Sequence, residues 1–168
     1  MAREIEPRLF RRVMGRFATG VTVITARDGE DVRAMTATAF MSGSLDPPLC
    51  IISVAKRARM HKVLLKAEAY GVNILADGQE EYSIHFAGRQ NRELVIGFDE
   101  IAGVPLLADA CGRIATEVAA RHECGDHTIF IGHILHMDSD NRSPLIYHSG
   151  RYGSFVPRLT DGTLPEFW

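Results

Sequence analysis

The stretch Arg33-Ala-Met-Thr-Ala-Thr-Ala-Phe-Met-Ser-Gly-Ser-Leu-Asp-Pro-Pro-Leu-Cys-Ile-Ile-Ser-Val54 decides how the chain is read. It joins a run of small and hydroxyl side chains, a two-proline turn and an apolar segment that ends at Ser53-Val54. Small side chains leave backbone N–H and C=O groups reachable, so a flat polar ligand can lie against such a run. The same residue types also fill any strand packed closely on its neighbour. Composition leaves both readings open, and the surrounding chain must decide.

Upstream, Val21-Thr-Val-Ile-Thr25 is a β-branched run that suits a strand. Asp28-Gly29 is a tight-turn dipeptide, and Val32 to Phe40 suits a second strand, which together predict a hairpin with a loop of several residues. Before it, Leu9, Phe10, Val13, Met14 and Phe17 recur at helical spacing behind Pro7, so Pro7 to Phe17 reads as an amphipathic helix. Downstream, Leu49 to Val54 is apolar on both faces, the pattern of a central, doubly covered strand.

From Lys56-Arg57-Ala-Arg59 into Met60, Val63, Leu64 and Ala67 the period becomes helical, with basic residues at the helix start. Positive charge there opposes the helix dipole by a few tenths of a kcal/mol, roughly, unless an anion sits on it, which makes this a candidate phosphate position. Tyr70 to Leu75 alternates as a strand, and Gln79 to Phe86 reads as a short helix closed by Ala87-Gly88. Leu106 to Ala110 is a short apolar piece. Gly112 to Arg121 and His127 to His136 are strands flanking Gly125-Asp126, and Pro144 to Tyr147 is a last strand before a turn at Gly150 to Gly153. A polar tail follows, whose closing Phe167-Trp168 is expected to pack on a partner. Strands with short connections and three scattered helices predict a barrel or sandwich. One domain over residues 1–168 is expected, with its core at about 9–155 and a tail at 156–168.

Charge excludes whole classes of partner. A net charge of −2 offers no positive field to nucleic acid. The longest apolar runs, such as Pro47 to Ile52, fall far short of the roughly 20 residues that cross a bilayer. Charges in Met1 to Pro7 replace the apolar core of an export signal, so a cytoplasmic address is expected. Three cysteines without close pairing suit reduced thiols.

The chemistry-bearing residues are sparse. His122, Cys124 and His127 lack the second matched pair that a tetrahedral zinc site takes, and His133 and His136, an odd number apart in a strand, are expected on opposite faces, so no metal is expected. No G-x-S-x-G elbow, phosphate-binding P-loop or G-x-G-x-x-G fingerprint occurs, which removes the usual support for acyl transfer, phosphoryl transfer and Rossmann-type dinucleotide binding. What remains is small-residue backbone, a basic helix start and isolated ring donors such as His127 and Tyr152.

Five segments carry a resemblance. Phe10-Arg-Arg-Val-Met-Gly-Arg-Phe-Ala-Thr-Gly-Val-Thr-Val-Ile-Thr25, Ala34-Met-Thr-Ala-Thr-Ala-Phe40, Ser44-Leu-Asp-Pro-Pro-Leu49, Phe86-Ala-Gly88 and Gly125-Asp-His-Thr-Ile-Phe-Ile-Gly132 resemble, in this order, the short-chain flavin reductase family. The likeness runs from about Leu9 to Phe155. It implies a mainly β fold with peripheral helices, a Greek-key-like, six-stranded antiparallel FMN-binding split barrel that forms a homodimer. It also implies an NAD(P)H:flavin oxidoreductase that reduces FMN or FAD with NADH or NADPH and releases reduced flavin to a partner monooxygenase.

Carried over by position, Met35, Thr36, Ala37, Thr38 and Ala39 approach the flavin ring with backbone and small side chains. Ser53, Val54, Ala55, Lys56 and Arg57 hold the ribityl chain and phosphate, and Phe86, Ala87 and Gly88 border the flavin from the next helix end. His127, as the catalytic residue, and Tyr152 line the nicotinamide side. The chain departs from the family at Thr38, where Asn is frequent, at Ala58 to Met60, where Ser or Thr is common, and at His133, where acidic or basic residues are usual. A flavin-binding carrier or sensor without reductase turnover, or an oxidoreductase acting on another substrate, are the alternatives on the same barrel.

Overall fold

The computed structural model describes residues 5–157. Glu6 opens helix α1 (Pro7–Met14) by accepting the Arg8 and Leu9 amides, at 2.9 and 2.8 Å, on its two carboxylate oxygens. The chain then runs through β1 (Thr19–Gly20), β2 (Thr22–Asp28), β3 (Asp31–Ala37), β4 (Phe40–Leu45), β5 (Pro48–Ala55), α2 (Arg59–Leu64) and β6 (Ala69–Ile74). Helix α3 (Glu80–Phe86), β7 (Phe98–Ile101), β8 (Val104–Leu107), β9 (Gly112–Cys124), β10 (His127–Ser139), β11 (Leu145–His148) and β12 (Arg151–Ser154) complete it.

Seven strands, not the expected six, form the main sheet in the order β3-β2-β6-β9-β10-β5-β4, every neighbouring pair antiparallel. The predicted Val32 to Phe40 strand ends at Ala37, and after Thr38-Ala39 the chain enters β4, an unpredicted strand that begins at Phe40 and pairs at the opposite end of the sheet. That break dictates the shape. A flat seven-stranded sheet would separate its edges by about 29 Å, six spacings of about 4.8 Å. The three peptide units from Ala37 to Phe40 span at most about 11 Å. The sheet therefore curls until its two edges meet at Thr38-Ala39, where the Ser53 amide donates to the Ala39 carbonyl at 3.1 Å.

Inside the curl lies the main core: Ile24, Ile52, Val54, Tyr70, Val72 and Phe130, closed at one end by Met60 and Leu64 of α2. Outside, α3 covers Val21, Val23, Leu75 and Leu145, and the β7–β8 hairpin covers Ala115 with Val104 and Leu106. Gly71 permits that hairpin to approach, since a Cβ there would stand 2.5 Å from Leu106 Cδ2 and 2.4 Å from Thr25 Oγ1. Burial on both faces thus falls on β2 and β6 rather than on β5. β5 lies next to the edge strand β4, with Cys50, Ile52 and Val54 buried and Leu49, Ile51 and Ser53 half-buried.

Other turns are tighter than the sequence predicted. The β2–β3 loop is the two residues Gly29-Glu30, with Gly29 at φ +64°. Ser149-Gly150, both at positive φ, turn β11 into β12, so Arg151 to Ser154 is a strand where a turn was expected. The β7–β8 hairpin, turned by Ala102 (φ +51°) and Gly103 (φ +75°), was not anticipated upstream of Leu106. Phe167-Trp168 lies outside the described residues.

Candidate functional site

Strand β3 pairs only with β2, so alternate residues along it turn their N–H and C=O groups to an open edge. A cavity of about 930 Å³ lies over that edge. α2 walls it with Arg59, Met60 and Val63, and the end of α3 with His85, Phe86, Ala87 and Gly88. β3 supplies Val32, Arg33, Ala34 and Met35. Gly88, at φ +103°, takes the left-handed conformation that lets the chain leave α3 across the cavity mouth. Volume and lining suit a small-molecule ligand, for which about 300–1,000 Å³ is usual.

Met35, Phe86, Ala87 and Gly88 therefore share one cavity. Ala37 packs on the inner core, and its carbonyl accepts the Thr22 hydroxyl at 2.7 Å. Thr36 turns its side chain away onto α3, donating its hydroxyl to the Ser83 carbonyl at 2.6 Å. Thr38 and Ala39 form the exposed junction between the sheet edges.

A second group assembles around that junction. Ser53 is bonded to Ala39, and Ala55 stands opposite His127 across the β5–β10 ladder. The Lys56 amide donates to the Asp126 carbonyl at 2.9 Å, and the Lys56 ammonium pairs with Glu123. Val54 points into the core, so only its backbone can face a ligand. Arg57 is exposed. The partly exposed His127 ring places Nδ1 2.7 Å from Asp126 Oδ1, and this contact holds the Asp126 carboxyl below the usual carboxylate range.

Tyr152 lies elsewhere. Its hydroxyl is 2.8 Å from Ser83 Oγ, its ring packs at 5.4 Å on Tyr147, and it lines a separate cavity with Arg16, His148 and Arg151. It thereby clamps α3 from behind, while Thr36 holds the same serine from β3.

The two strand histidines share a face, contrary to the parity expected of them. A bulge at Leu135 brings His133 opposite Glu117 and His136 opposite Ala115, two residues apart on β9. Each keeps its own carboxylate, Glu117 and Asp138, both at 3.0 Å.

Arg59, His85, Gln90 and Phe98 also line the large cavity. They come from three distant segments, and Arg59 alone carried a signal, as part of the basic helix start.

Known proteins share this fold. The flavin reductase-like domain family matches residues 14–155, which spans the curled sheet, both cavity walls and His127. The chain belongs to the flavin reductase-like family. Within it, the chain is 41% identical over 154 residues to an NADH-dependent flavin reductase of a Rhodococcus species, covering 90% of this chain and 88% of that one. It is 38% identical over 148 residues to the reductase component of 4-hydroxyphenylacetate 3-monooxygenase of Thermus thermophilus, covering 88% and 95%. The solved structure of flavin reductase PheA2 superposes with a TM-score of 0.88 at 39% identity, covering 91% of this chain and all of that one. Other family relatives are named FAD reductase and FMN reductase.

Proposed function

We propose that the chain is an NADH-dependent flavin reductase that reduces FMN or FAD by hydride transfer and passes the reduced flavin to a partner monooxygenase. The observation that carries this reading is the cavity over the open edge of β3, inside the domain that matches the family. Relatives named NADH-dependent flavin reductase and monooxygenase reductase component support it. The curled seven-stranded sheet stands for the family's split barrel, with its edges meeting at Thr38-Ala39.

The flavin accepts the hydride, and the protein binds and orients. Backbone groups from Met35 to Ala39 serve as donors along the ring, with Phe86 to Gly88 on its other side. The residues from Ser53 to Arg57 serve the ribityl chain and phosphate. His127, oriented by Asp126, presents its free ring nitrogen to the nicotinamide. Tyr152 acts through Ser83 on the position of α3.

A homodimer fits the apolar residues left exposed. None of the apolar residues of α1 is buried, and Met41, Leu45, Leu135 and Met137 are exposed along β4 and β10. No helix among the described residues is long and apolar enough to cross a membrane. The buried free thiols Cys50 and Cys111 fit a cytoplasmic setting.

Anaerobic mixing of the purified chain with NADH and excess FMN or FAD is expected to bleach the flavin band at about 450 nm. Bound yellow flavin without bleaching would favour a carrier or sensor. Replacement of His127 by Ala is expected to raise the KM for NADH about tenfold, with a smaller change in flavin affinity. Equal losses in both would contradict the nicotinamide role.

A further inference from the structure

Helix α2 walls the cavity over β3, and one of its side chains reaches through the core to the strand that carries His127. His61 is buried, and its Nε2 lies 2.9 Å from the hydroxyl of Thr128, itself buried at the start of β10. Resting on the reading above, in which α2 borders the flavin and His127 meets the nicotinamide, we propose that His61 is a positioning residue. Through Thr128 it holds the flavin wall and His127 in one fixed relation.

The helix does not set that relation alone. Six residues are too few for a helix to keep its own place, and Ala58 at its N-cap supplies no side-chain bond. The far end is anchored by Arg121 of β9, which donates to the Leu64 and Ala67 carbonyls at 3.3 and 2.6 Å. The near end, where Arg59 and Met60 face the cavity, depends on His61. Among the described residues His61 is the one side chain of α2 that hydrogen-bonds another element.

Its other neighbours are apolar. Met60 and Leu64 flank it on α2, Val54 lies opposite Thr128 on β5, and the imidazole stands edge-on to Phe130 with ring centroids 6.1 Å apart. Apolar contacts fill space and tolerate small slides, whereas a bond between two buried polar atoms admits one distance and one direction. Stability does not call for the pair, since two apolar groups of the same shape would serve the core about as well. What the pair fixes is place. Thr128 and His127 are neighbours on β10 whose side chains take opposite faces, Thr128 buried in the core and His127 partly exposed. Any shift of α2 is therefore carried to the backbone that presents His127.

The test uses the full chain, with flavin and NADH binding each read by fluorescence titration and the KM for NADH by steady-state turnover. Thr128→Val is expected to raise the flavin Kd, the NADH Kd and the KM about fivefold each, while Thr128→Ser, which keeps the hydroxyl, recovers most of the loss. Thr128→Val also leaves the His61 nitrogen buried and unpaired, so its thermal midpoint falls. The double variant His61→Leu, Thr128→Val removes both polar groups. It is expected to regain the parent's midpoint and to keep the fivefold losses. A double variant that regains midpoint and binding together shows a pair that serves the core alone and overturns the proposal. A Thr128→Ser chain as impaired as Thr128→Val overturns it too, and that comparison decides the matter if the double variant does not fold. A rise in one ligand's Kd without the other contradicts the coupling. A parent chain that binds both ligands yet leaves the flavin unbleached sinks the reductase, and the two binding constants still judge His61.

Discussion

Gly132, like Gly71, marks a point where the interior has no room for a side chain. A Cβ there would stand 2.5 Å from the Tyr70 hydroxyl and 2.8 Å from Thr116 Cβ, with Tyr70 itself fully buried. The ring cannot retreat, because its hydroxyl lies 3.8 Å from Cys50 Sγ inside the same core. Burial pushes both the Tyr70 hydroxyl and the Cys50 thiol up, so neither ionises at neutral pH. Gly132→Ala is expected to cost about 1–3 kcal/mol through overpacking. An unshifted urea midpoint would show that the interior yields. In the sequence Gly132 is only one glycine in an apolar strand, and nothing in its neighbours announces that Tyr70, 62 positions earlier, lies over it. Arg59 and His85 were obscure for the same reason: each faces the cavity only because α2 and α3 flank the free edge of β3.

At the scale of elements, charge ties the outer hairpin to the sheet. Arg113 on β9 grips Asp138 on β10 with two bonds of 2.8 and 2.9 Å and reaches Asp99 on β7 at 2.7 Å. Bonding to Arg113 first, and to His136 less, holds the Asp138 carboxyl below its ordinary value of 3.8. A folded-state value below the unfolded one means that this stabilisation is complete above pH 3.8 and is lost as pH falls through the lower value. Asp138→Asn is therefore expected to lower stability by about 0.5–1 kcal/mol at pH 7, given the partly exposed pair. The gap from the parent in thermal midpoint should close below about pH 4, and a gap constant with pH would contradict the assignment. Hairpins with a turn dipeptide, at Asp28-Gly29 and Gly125-Asp126, were legible in the sequence. The strand Phe98–Ile101 was not, because its two central residues are acidic and its pattern is that of an exposed edge. The break at Thr38-Ala39 escaped for lack of any Gly or Pro to signal it.

For the whole molecule, local pattern established antiparallel strands around one core but not their order, which depends on partners 50 to 75 residues away, such as Thr22↔Ile74 and Ala55↔His127. The apolar face of β5 was read as central because the sequence does not distinguish cover by a second layer of the same chain from cover by another copy. If another copy covers the exposed apolar residues of α1, Phe10→Asp, at a residue that is 55% exposed, should convert a dimer to a monomer in sedimentation. A parent chain that already sediments as a monomer would remove the basis for that expectation. The open edge of β3 has one more consequence. Unpaired strand edges are where a foreign strand adds and where aggregation begins. A ligand lying along β3 covers the groups such a strand would use, so the occupied protein is better guarded against self-association than the empty one.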